Sequence, residues 1–71
     1  MIAVIFEVWP AEGRMQEYLD LAAALKAELE HAEGFISIER YSSLTTPGKY
    51  VSLSYWRDEA AVRDWRNRAG H

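Results

Sequence analysis

Cysteine is absent from the 71-residue sequence. Disulfides, thiolate zinc sites, iron–sulfur clusters and cysteine nucleophiles are thereby excluded. Histidine is scarce: His31 and His71 stand forty positions apart and form no metal-ligand motif. No apolar run approaches the ~20 residues of a membrane span. The opening Ile2–Phe6 is too short for a signal peptide and lacks a basic start. A cytoplasmic protein that does not enter membranes is expected. There is no Gly-x-Ser-x-Gly elbow, so a serine hydrolase has no support. No internal repeat or low-complexity stretch occurs, and 8.2 kDa leaves room for one domain over residues 1–71.

What is present is 49% apolar, ordinary for a folded domain. A core this small rarely supplies more than about 3–5 kcal/mol. With no crosslinks available, a homodimer is the expected supplement. The formal charge of −3 argues against a generic nucleic-acid binder, and it is unevenly spread. Residues 1–39 hold eight acids and two bases (−6), whereas residues 40–71 hold three acids and six bases (+3). Such polarity either favours antiparallel association or marks two solvated helices of opposite sign.

Ile2–Trp9 is β-branched and aromatic and stops at Pro10, which predicts a strand. Both of its faces are mostly apolar, so it reads as central and covered on both sides. Met15, Tyr18, Leu19, Ala22, Leu25 and Leu29 recur at spacings of three and four, predicting a helix over about 13–31 with Gly34 as its stop. Phe35–Ser42 reads as a second strand, with Phe35, Ser37, Glu39 and Tyr41 opposite Ile36, Ile38 and Arg40. Thr45, Thr46, Pro47 and Gly48 are turn residues and lead to a third strand, Lys49–Trp56. Asp58 caps a second helix over about 59–68 that buries Ala61, Val62 and Trp65.

The order β-α-β-β-α is an α+β, ferredoxin-like pattern without its last strand, which would pair beside the first. The chain therefore reads as part of a longer protein, a partner's strand being the other way to fill that edge.

Three segments then carry a resemblance: Gly34-Phe35-Ile36-Ser37-Ile38-Glu39-Arg40, the run Ser52-Leu53-Ser54-Tyr55-Trp56-Arg57-Asp58-Glu59-Ala60, and Trp65-Arg66-Asn67. An aromatic strand end running into Trp-x-Asp-Glu-Ala, with a Trp nine residues after Trp56, is the most specific part. Together they resemble the antibiotic biosynthesis monooxygenase domain family. The resemblance implies a dimeric α+β barrel with a pocket between sheet and helices in each subunit. It implies oxygenation of a small phenolic, quinol or polyketide-type molecule by dioxygen, with no metal or flavin cofactor. A related branch degrades haem.

Such chemistry needs an electron-rich substrate that transfers an electron to dioxygen, in a pocket that stabilises the anion and excludes water. On the resemblance, Trp56 matches a substrate-contacting Trp, while Ser52 stands where the polyketide-oxidising members carry Asn. Val62 stands where they carry Tyr. Trp65 matches a Trp of the haem-degrading branch, and Phe6 replaces its strand-one Asn. The catalytic candidates are Trp56, Ser52 and Trp65; the substrate-binding candidates are Val4, Phe6, Tyr18, Val62 and His71. Each has a plainer reading. Trp65 suits a helix-to-sheet core anchor, Trp56 a strand-closing aromatic, Ser52 a sheet residue and His71 a solvated terminal residue. Glu7 and Glu39 read either as a proton-handling pair or as partners of Arg40. The strand Lys49–Tyr55 has aromatics but not the glycine spacing of an RNA-recognition module. A non-catalytic ligand-binding or stress-response dimer on the same fold is the alternative function.

Overall fold

The computed structural model describes residues 1–68. Its elements are β1 (Ile2–Val8), α1 (Met15–Leu29), β2 (Phe35–Ser42), β3 (Tyr50–Trp56) and α2 (Glu59–Arg68). This is the α+β, ferredoxin-like order expected from the sequence. All three strands are antiparallel to their neighbours, in the spatial order β1-β3-β2. The last strand in sequence thus lies in the middle, and α1 carries the chain across it from β1 to β2. Residues of both helices pack on one face of the sheet, around Leu29, Trp56 and Ala61, with Ile2, Val4, Phe35 and Ile38 beneath them.

Two local devices fix how α2 sits. The Ala61 amide donates to the Asp58 carboxylate at 2.9 Å, the N-cap expected from the sequence. Gly34 then lets α2 approach: its φ is +84°, and a Cβ added there would lie 2.5 Å from the Ala61 Cβ. The Arg57 amide donates to the Gly34 carbonyl at 2.7 Å, tying this corner to the start of α2.

Several expectations are corrected. β1 is not covered on both sides: it is an edge strand among the described residues, and Ile5 on its outer face is 68% exposed. Its length of mixed apolar sequence comes from facing a cavity on one side and a bare sheet surface on the other. α1 ends at Leu29, and Gly34 is not its immediate stop; the His31 and Ala32 amides donate to the carbonyls of Glu28 and Leu29, closing a tighter last turn. Leu19 is exposed rather than buried, and Leu21, itself 69% exposed, is the leucine of that turn that lines the cavity. The strict alternation of β2 fails at its start. A bulge between Phe35 and Ser37 leaves Ile36 without a Cα partner, so Phe35 joins Ile38 on the core face and Ile36 is exposed. The β2–β3 turn is a seven-residue connection over 43–49 rather than a tight Pro-Gly turn.

No helix of the described residues is long and apolar enough to cross a membrane.

Candidate functional site

The inner sheet face is a ladder of four cross-strand rows set by the register. They run Phe35–Trp56–Ile2, Ile38–Ser54–Val4, Arg40–Ser52–Phe6 and Ser42–Tyr50–Val8. The helices roof these rows without filling the space above them. A cavity of about 580 Å³ results, within the size range of small-molecule sites. Val4, Phe6, Ser52 and Trp56 line it from the sheet, Tyr18 from α1, and Val62 and Trp65 from α2. Seven of the eight site residues chosen from the sequence therefore converge on one cavity; the eighth, His71, lies outside the described residues.

The rows differ in closure. At one end Trp56 is 3% exposed, packed edge-on against Phe35 at 5.4 Å and tilted against Trp65 at 6.3 Å. Toward the other end Phe6 is 64% exposed although it lines the same cavity. Tyr18 reaches down from α1 to Tyr50 of the last row, ring centroids 5.6 Å apart. From α1 the walls add the aliphatic Leu21, Ala22, Leu25 and Leu29. No carboxylate or imidazole lines the cavity among the described residues.

Trp56 is placed as expected, but its polar edge is not free. The indole Nε1–H donates to the Ser54 hydroxyl at 3.0 Å, and both residues are buried. A buried Trp generally needs such a partner. Ser54 accepts from the indole and keeps its own O–H to donate into the cavity. The indole N–H is thus committed within the protein. Ser54 was missed by sequence reasoning. Its signal was the two-residue offset from Trp56, which puts both side chains on one strand face.

Trp65 unites its two readings: it packs on the core cluster and lines the cavity. Arg40 and Arg66 were also missed as cavity residues. The carboxylates behave otherwise than paired with Arg40. Glu7 forms an ion pair with Lys49, which also lies 5.5 Å from the Trp9 ring centre. Glu39 accepts from the Tyr41 hydroxyl at 3.1 Å, which raises the Tyr41 phenol above its ordinary pKa. Because the register alternates, Glu39 and Arg40 point to opposite faces, so adjacency in sequence separates them. The Asp58 carboxyl lies below the usual range, first through the Ala61 amide and then through Arg57.

Comparison with known proteins agrees with this arrangement. The chain is 46% identical, over all 71 residues, to a protein of Pyricularia oryzae named jasmonate monooxygenase ABM. It spans 33% of that relative's length, about a third. No solved structure is a significant match. The family model described as antibiotic biosynthesis monooxygenase matches residues 1–71. With fold, cavity and match in agreement over the whole sequence, the chain belongs to the antibiotic biosynthesis monooxygenase family.

Proposed function

We propose that residues 1–71 form a single domain that houses the substrate pocket of a monooxygenase. Its substrate is a small phenolic, quinol or polyketide-type molecule, its oxidant is dioxygen, and no metal or flavin takes part. The observation that carries this reading is the convergence of Val4, Phe6, Tyr18, Ser52, Trp56, Val62 and Trp65 on one cavity. Family membership, and the relative named for jasmonate monooxygenase activity, supply the reaction class.

The chemistry balances without an outside reductant when the substrate is electron-rich. A CH2 activated by neighbouring aromatic rings becomes C=O, one oxygen atom stays in the product, and the other leaves as water with the two hydrogens. The closed end around Trp56 and Leu29 keeps water from the reacting pair. In this reading the hydroxyls of Ser52 and Ser54, which line the cavity, donate to oxygen on the substrate as charge develops there. Trp56 acts through Ser54, and Trp65 holds the roof against Trp56. The working assembly in this reading is a cytoplasmic homodimer, joined through the sheet face that the helices leave bare.

Oxygen uptake against a panel of phenols and quinols, with chelator present, tests this. We expect uptake with at least one member and one product per dioxygen consumed. Binding without turnover anywhere would favour the non-catalytic ligand-binding dimer. That alternative draws on two observations: the indole N–H of Trp56 is committed to Ser54, and no carboxylate or imidazole lines the cavity among the described residues.

A further inference from the structure

We infer that Arg40 makes the open end of the cavity an anion-binding pole, so that the ligand is an elongated apolar molecule carrying a carboxylate. The inference rests on the cavity being the substrate site, and deepens that reading by naming a second recognition element at it.

Arg40 lies on the inner face of β2, half-buried, in the row Arg40–Ser52–Phe6. Among the described residues it forms no ion pair, and no acidic side chain lines the cavity to compete for it. Glu39, its neighbour in sequence, faces the other way and is engaged by Tyr41. A partly buried guanidinium in the cavity lining, with no acidic partner among the described residues, is available to an anion. Its planar fork matches a carboxylate with two parallel hydrogen bonds, and the Ser52 hydroxyl, its cross-strand neighbour, supplies a further donor. Arg66, exposed on α2, adds a second positive charge to the cavity lining.

The kind of anion follows from what else is there. An unperturbed phenol ionises near pKa ~10 and a carboxylic acid near ~4. With no carboxylate or imidazole in the lining, no described group stands ready to remove a phenolic proton. A carboxylate arrives already ionised. Length also fits: the Arg40 row and the Trp56 row are four β3 residues apart, about 13 Å at the usual strand rise. The head sits at Arg40 and Ser52, and the body extends over Ser54 toward Trp56.

Calorimetric titration of the full chain with phenylhexanoate and with its neutral isostere, phenylhexanamide, tests this at neutral pH. The carboxylate is expected to bind at least about tenfold tighter than the amide, the effect of one charged hydrogen-bonded contact. Arg40→Gln should abolish that preference, acid and amide then binding alike. Arg63→Gln, which removes an equal charge from the outside of α2, should preserve the preference. Equal binding of acid and amide by the wild-type chain overturns the inference, and needs no variant to fold. So does an undiminished preference in Arg40→Gln, or its loss in Arg63→Gln, which would assign it to net charge. The two proposals fail separately. Acid preference lost in Arg40→Gln, with no oxygen uptake on any substrate, retains the anion pole and removes the oxygenase. Oxygen uptake on a phenol, with acid and amide bound equally by the wild-type chain, does the reverse.

Discussion

Ser54 and Trp56 are the residues through which the buried floor of the cavity is wired. Removing one partner leaves the other with an unmet polar group in a dry place, so the two substitutions should not be additive. Ser54→Ala strands the indole N–H and is expected to cost about 1–3 kcal/mol. Trp56→Phe loses about 1 kcal/mol of hydrogen bonding and leaves a void where the indole's second ring was. The double variant should cost less than the two together by at least about 0.5 kcal/mol, read from urea unfolding midpoints. Full additivity would show that the 3.0 Å contact is incidental. Trp65→Ala belongs at the low end of the usual Trp range, about 3 kcal/mol, because Trp65 is only half-buried. That is comparable with the entire stability expected of so small a core, so unfolding near room temperature is the expected result. Trp65 was legible in the sequence as an apolar periodic position and Trp56 as the aromatic end of a strand. The hydrogen bond was not, since a strand pattern gives a face and never a rotamer.

At the scale of elements, three glycines with positive φ separate backbone strain from steric contact. Gly13 and Gly48 have φ of +79° and +80° with nothing within 4 Å of a built Cβ, whereas Gly34 meets Ala61 at 2.5 Å. Gly13→Ala and Gly48→Ala should each cost about 1–2 kcal/mol for the left-handed conformation alone. Gly34→Ala must also push α2 off the sheet, and should cost more than either. Thermal melts of the three variants decide it; three equal values would mean that α2 yields freely. The Asp58 cap gives a pH signature. Its folded pKa lies below the ordinary value, chiefly through the Ala61 amide, so its contribution is complete above that ordinary value near ~4. It is lost as pH falls through the depressed folded value. Asp58→Ala should lower the melting temperature at neutral pH and flatten the acid limb of its pH dependence, while Asp58→Asn, which still caps, should flatten that limb with a smaller loss at neutral pH. The cap was readable from Asp58 standing one residue before a run of helix formers. The bulge after Phe35 was not, because an extra residue in a strand alters facing without altering composition.

For the molecule as a whole, the question is what the bare face of the sheet does. Ala3, Ile5 and Tyr41 are exposed there, beside the half-buried Val51, Leu53 and Tyr55. An exposed apolar surface of this kind marks an interaction site. In the proposed dimer two such faces pack together, an isologous contact in which Ile5 meets its partner's sheet. Sedimentation equilibrium should give a dimer at micromolar concentration, and Ile5→Lys should shift it toward monomer without altering ligand binding on the opposite face. A wild-type monomer under those conditions would remove the dimer from the functional reading. Because Arg40 and Glu39 face opposite sides, Glu39→Gln should change dimerisation or stability rather than the acid preference assigned to Arg40.

Periodicity and chain chemistry determined the element order, the hairpin of β2 and β3 and the capped second helix, while the family resemblance singled out part of the cavity lining. These are local properties: a period of two or 3.6, a cap, a turn residue, an apolar position. Tertiary structure decided the rest, because it depends on register and on how far the helices stand from the sheet. Placing β3 between β1 and β2 is what puts Phe6, Ser52 and Arg40 in one row. A row joins residues far apart in sequence, and no local pattern encodes which strand lies between two others. The same register turned Arg40 inward and Glu39 outward, and gave the Trp56 indole its partner in Ser54. The family was legible from motifs; which atoms face a ligand was decided only when the strands paired.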